Sequence, residues 1–370
     1  MTNEQKRIGW IDEFKGFVLL LVVLFHIEQS FSQASMGMLH LSMLRMTAFF
    51  FISGMLFSTR RFDSFKSYFI HKTKILLIPY ILLSLLFLAL DPVLYNFDLF
   101  PKAPRMTVMN IRPEIASVWD YTYWNLAKIF VAGKSSIGSG PLWFVFTLYS
   151  VSLMFYGVQG IAKKKAAIAL IAIASLAGGW MLYKNHIRLP LGIERDLTVL
   201  FFFACGWLCK EPIKKIGNMS NTFPVVVAAA ISFILYAALE IPDANFSIMN
   251  NDLGKSLPRF VASSIFGIAG LVAAFQLASK LPSTAPIRLL KGILRNISRN
   301  ALVILAVHWW ILLVLRIIFK KEMDRPGIAY LSAFIVAAGV IIAIPLFRNK
   351  LYKLLGKQPA SVRESLDIRN

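Results

Sequence analysis

The chain has 370 residues, of which 57% are apolar and only 16% charged, and its mean hydropathy is +0.63. Soluble proteins sit near about 45–50% apolar and roughly 25% charged, so this composition excludes a soluble globular or disordered protein and points to an integral membrane protein. A net charge of +21 would suit nucleic acid, but the basic residues fall in short clusters between apolar runs, where membrane topology accounts for them; no nucleic-acid partner is expected. The two cysteines, Cys205 and Cys209, share one apolar run and can build neither a disulfide framework nor a four-ligand zinc site.

About 20 apolar residues are needed to cross a hydrocarbon core of roughly 30 Å. Ten runs approach that size: Phe14 to Ala34, Leu41 to Ser58, Ile75 to Tyr95, Pro141 to Ile161, Ala166 to Tyr183, Leu197 to Cys209, Phe223 to Leu239, Leu257 to Ser279, Ala301 to Phe319 and Ile328 to Phe347. They are continuously apolar rather than alternating, which predicts an all-α polytopic protein of about ten transmembrane helices and not a barrel. The sixth run is the weakest, because Arg195 and Asp196 shorten it.

With the N-terminus placed inside, 25 of the 40 basic residues fall on the inner side, so both termini are expected to be cytoplasmic. His26 and Glu28 inside the first run argue against a cleaved signal peptide. Residues 1–350 then form a transmembrane domain and 351–370 a basic cytoplasmic tail. The connection 91–140 is extracytoplasmic, and its aromatic stretch Val118 to Phe130 suits an interfacial helix or an aromatic-anchored loop. No internal repeat is visible.

An ionisable side chain deep in a bilayer is costly and so marks a functional site. His26 lies eleven residues beyond Lys15, roughly 16 Å along a helix and near mid-membrane; His308 reaches a similar depth in the ninth run. Eleven residues are about three turns, so Lys15 and His26 share a face, which Gln29 and Gln33 continue towards the outer end. Glu28 points away and cannot orient His26 from the same helix. His40, His71 and His186 lie near membrane ends or in loops without metal-ligand spacing, and no metal is expected. No phosphate-cradling glycine loop, nucleophile elbow or zinc-protease motif is present.

Lys15, ten residues and then His26, within Ile11-Asp12-Glu13-Phe14-Lys15-Gly16-Phe17 leading to Leu24-Phe25-His26, resembles the opening signature of the membrane-bound acyltransferase 3 family, in its fucose 4-O-acetylase-like branch. Four further blocks match in order. Arg45 to Gly54 resembles the aromatic run ending in Ser-Gly, with Thr47 where proline is frequent. Lys72 to Tyr80 resembles the basic pair before a Pro-Tyr helix start, with Lys74 displaced from the commonest arginine position. Leu142-Trp143-Phe144 resembles the Leu-Trp-Phe step. Arg299 to His308 resembles the last block, with Ala301 for a common serine and Leu305 for a common tyrosine.

The resemblance implies transfer of an acyl group, usually acetyl, from cytoplasmic acyl-CoA to a sugar hydroxyl outside a bacterial cytoplasmic membrane. It casts His26 and His308 as catalytic residues, His26 acting as general base or acyl-imidazole nucleophile and His308 orienting it or the acceptor, or polarising the carbonyl. Lys15, Lys72, Lys74 and Arg299 would hold the phosphates of acetyl-CoA; Arg60 and Arg61 are more simply topological charge. Arg45, Trp143 and Gln29 would face the carbohydrate acceptor. A glycan transporter or flippase is the alternative, since a polar stripe could also line a conduit.

Overall fold

Apolar segments in lipid must satisfy their backbone internally, and in the computed structural model the chain does so with helices. The structure describes residues 9–31, 36–97, 111, 114–136, 138–240, 246–322 and 324–354. Gln33, residues 98–110 of the long connection and the tail beyond 354 lie outside the described residues.

In chain order the helices are α1 (Gly9–Ser30), α2 (Ser42–Met55), α3 (Phe65–Lys72), α4 (Ile78–Leu88), α5 (Asp91–Asn96), α6 (Val118–Phe130), α7 (Trp143–Ile161) and α8 (Lys165–Lys184). Then follow α9 (Ile193–Gly217), α10 (Phe223–Leu239), α11 (Leu257–Ser279), α12 (Ala285–Arg299), α13 (Ala301–Ile318) and α14 (Pro326–Leu354). A π-helical turn, Thr73–Leu77, joins α3 to α4 without a break.

Seven of these segments among the described residues are long and apolar enough to cross a membrane: Met38–Met55, Phe65–Leu88, Gly140–Ile161, Lys165–Lys184, Leu257–Ser279, Ala301–Ile318 and Gly327–Phe347. The chain is a polytopic membrane protein. The other three expected runs are helical but differ in kind. α10 has 17 residues, whereas α1 and α9 carry charged side chains towards both ends. The sixth apolar run, expected as Leu197 to Cys209, is the middle of a 25-residue helix whose first turn keeps Glu194, Arg195 and Asp196 buried.

Of the two forms that suited the aromatic stretch of the long connection, helix or loop, the chain takes the helix over Val118–Phe130, started by a capping box in which Ser117 and Asp120 satisfy each other's backbone donors. The stretch Lys280 to Arg299, expected only as a basic connection, contains helix α12, strongly amphipathic and packed along the first half of α1. That contact is close, because a side chain at Gly16 would overlap the Leu294 carbonyl. Glu13, buried at the same level, accepts hydrogen bonds from Arg295 at 2.9 Å (Nε) and 2.5 Å.

Helices in lipid associate through close packing rather than hydrophobic exclusion, and small residues at the contact allow it. The seam between α2 and α9 shows this reciprocally: a Cβ at Gly54 would overlap the Phe203 carbonyl, and one at Gly206 would overlap that of Phe51. Around this seam Phe57, Phe155, Phe203 and Trp207 pack edge to face or tilted, with centroids 5.0 to 5.7 Å apart. We expect Gly206→Leu to lower the unfolding temperature in detergent strongly, an overpacking cost of about 1–3 kcal/mol. Gly157→Ala, where the added methyl meets open space, should leave it unchanged or slightly raised.

Candidate active site

His26 and His308, 282 residues apart in sequence, meet where α1 crosses α13. Nδ1 of His26 lies 2.9 Å from Nε2 of His308, and the rings stack 5.2 Å apart at 11°. Nδ1 of His308 lies 2.7 Å from the Ile304 carbonyl one turn earlier. A carbonyl can only accept, so Nδ1 of neutral His308 donates and its Nε2 carries a lone pair. Nδ1 of His26 donates to that lone pair, leaving the basic electron pair of His26 on Nε2. His308 is fully buried, while His26 lines a cavity. The sequence placed the two rings at similar depth; the structure brings them into direct contact.

The cavity holds about 420 Å³ and is bounded by Val22, Phe25, His26 and Gln29 of α1, Ser42, Arg45 and Met46 of α2, the turn into α7, and the segment 246–252. Three expected acceptor residues, Gln29, Arg45 and Trp143, are thus gathered around His26. The Arg45 guanidinium stands 3.8 Å from the centre of the Phe25 ring and donates to the Met38 carbonyl. The Ser42 hydroxyl is buried without a hydrogen-bond partner among the described residues, on the wall of the same cavity. Glu28 takes no part in orienting His26. It accepts from the Met36 and Met38 amides at 2.7 and 3.0 Å, holding the entry to α2.

Gly140 shapes the wall opposite. Its φ is +25°, and a side chain there would overlap the Trp309 indole, whose ring meets His26 edge to face at 5.2 Å. The turn therefore lies flat on Trp309 and delivers Pro141 and Trp143 to the cavity. Behind Trp143 sits Arg195, fully buried, its guanidinium 5.6 Å from the indole and 3.3 Å from Asp196. The charges that shorten the sixth apolar run thus support a wall of the site.

The segment 246–252 was not expected at the site, and its polar, turn-rich sequence carries no catalytic motif. It is pinned from several sides. Lys134 donates to the Asn250 side chain at 3.1 Å, and Arg188 donates to the Asn250 carbonyl. Asn251, in the left-handed region at φ 47°, accepts from Thr198 at 2.8 Å and donates to the Gly179 carbonyl at 2.9 Å. Two helices, α8 and α9, and two loops therefore converge on two asparagines.

The four expected cofactor contacts are less concentrated. The Lys15 ammonium lies 6.0 Å from the Phe49 ring and close enough to Lys72 for their charges to repel. Lys72 stands 5.4 Å from the Tyr68 ring. Lys74 is exposed on the π-helical turn and Arg299 is exposed at the end of α12. Phe49 separates Lys15 from the cavity: it packs edge to face on Phe144, 5.1 Å away, and Phe144 lines the cavity. Cys205 and Cys209 are free thiols, half-buried on an apolar groove. His40 is exposed and pairs with Glu240 at 2.7 Å. Among the described residues no cluster of three metal-ligating side chains occurs.

The acyltransferase domain of the acyltransferase 3 family matches residues 8–347, and the chain belongs to that family. Its chemistry is acyl transfer in a membrane. No curated protein and no solved structure matches the chain.

Lys134 lies outside the membrane-spanning segments, and its ammonium is held down to about 8, first by burial and then by the charges of Arg195 and Arg188. Between about 8 and the ordinary value of 10.5 the unfolded chain binds a proton that the folded chain has released, so stability rises with pH across that window. The apparent unfolding temperature of the native protein should therefore increase from pH 8 to pH 10 relative to Lys134→Gln. The same substitution should speed backbone hydrogen exchange at 247–252.

Proposed function

We propose that the protein is an O-acetyltransferase of a bacterial cytoplasmic membrane that moves acetyl from cytoplasmic acetyl-CoA to a hydroxyl of an extracytoplasmic envelope carbohydrate. In this reading α1, α9 and α10 also cross the bilayer, giving ten crossings with both termini cytoplasmic. The observation that carries it is the His26–His308 hydrogen bond on the wall of a polar cavity.

Nε2 of His26 takes the proton of the acceptor hydroxyl as its oxygen attacks the thioester carbonyl. The imidazolium that forms keeps its Nδ1–H bond to His308, which acts in the position that a carboxylate holds in a serine hydrolase triad. When the carbon–sulfur bond breaks, the proton passes from His26 to the departing CoA sulfur, and the acetyl group remains on the sugar oxygen. Arg45 meets the carbonyl oxygen or the acceptor, and Trp143, Gln29 and Ser42 bind the sugar; their common place on the cavity wall supports this reading. Lys15, Lys72, Lys74 and Arg299 serve the phosphates of CoA. The thin pantetheine arm then passes the Phe49–Phe144 pair to bring the thioester to His26. The acceptor enters past the segment 246–252.

Purified protein given acetyl-CoA and envelope glycan should release free CoA and add an acetyl mass to the glycan. His26→Ala should reduce both by about 10²–10⁴-fold. His308→Gln, which keeps an acceptor for Nδ1 of His26, should cost roughly 10–100-fold, and the double variant should be no worse than His26→Ala alone, because the two rings act as one unit. Unchanged glycan masses on deletion, or full activity of folded His26→Ala, would refute the assignment.

A further inference from the structure

Helix α12 carries an apolar arc wider than the surface it covers. At about 100° per residue, Ile287, Leu294, Leu290, Ile297, Pro286, Ile293 and Leu289 span an arc of roughly 160°. One side of this arc is spent on the protein, where Leu294 is buried against Gly16. The other side is not: Leu289, Leu290 and Ile293 are 66%, 57% and 48% exposed. On the opposite face stand Lys291, Arg295, Arg288 and Arg299, and the helix holds no acidic residue. A helix with this division cannot sit in water without exposing leucines, nor cross a membrane without burying arginines. Its stable place is the boundary between the two.

We infer that α12 is seated in the lipid interface at the Lys15 end of the bundle, with Leu289, Leu290 and Ile293 among the acyl chains and Arg288 and Lys291 on the phosphates of anionic phospholipids. Charge chooses the partner, since a purely basic polar face attracts the negative surface of an anionic leaflet and gains nothing comparable from zwitterionic lipid. The seat has a structural consequence. α12 is joined to α1 through Glu13–Arg295 and Gly16–Leu294, and it runs through Asn300 directly into α13. The lipid surface therefore steadies the near ends of both helices that carry the histidine pair.

The test uses the full chain reconstituted in phosphatidylcholine vesicles with or without 30% phosphatidylglycerol. With Cys205 and Cys209 replaced by alanine, a bimane label on Leu289→Cys should be quenched by lipids brominated on their acyl chains, and one on Arg288→Cys by aqueous iodide. Hydrogen exchange over 285–299 should slow at least several-fold when phosphatidylglycerol is added, and Arg288→Gln/Lys291→Gln should abolish that slowing. Iodide quenching of the Leu289→Cys label as strong as at Arg288→Cys, or exchange indifferent to phosphatidylglycerol in the native protein, would overturn the inference. Neither readout depends on acyl transfer, so each stands whatever the reaction proves to be.

Discussion

A histidine ring offers one donor and one acceptor when neutral, and much of this site follows from how two such rings divide those roles. The Ile304 carbonyl fixes His308 as a donor at Nδ1; His308 in turn fixes His26; the free lone pair of His26 is thereby assigned to Nε2. Neither of these two bonds uses a carboxylate, which suits a place inside a membrane where a further charge would be expensive to keep. The cost of holding two polar rings there is met by bonds the helices already supply. One acceptor is a backbone carbonyl within α13, and the other partner comes from the neighbouring helix.

Much of this was legible before any coordinates. Depth follows from residue count along a helix, so His26 and His308 could be placed at one level. Facing follows from helical periodicity, so Gln29 could be placed with His26, and both belong to the cavity. What the sequence could not disclose is which helices touch. α12, which packs on α1 and leads into α13, has an amphipathic pattern that was present in the residues but was hidden by reading their basic members as topological charge.

The support of the cavity was hidden for a related reason. Arg195 and Asp196 looked like a flaw in an apolar run, because a hydropathy count treats every charge as a reason to end a helix. Buried and paired, with the guanidinium against Trp143, they instead belong to the helix and brace the site. The segment 246–252 has no motif at all. Its importance comes from Lys134, Arg188, Thr198 and Gly179 reaching it from distant parts of the chain, and such convergence leaves no local trace.

The glycine seam between α2 and α9 bears on how the enzyme can breathe. Where two backbones touch with no side chain between them, neither helix can slide or roll without collision. Arg45 and Arg195 ride on those two helices, so that side of the chamber is a fixed anvil. Any widening that admits a bulky guest falls to the parts held by side chains alone, the asparagine-held segment 246–252 or the turn resting on Trp309.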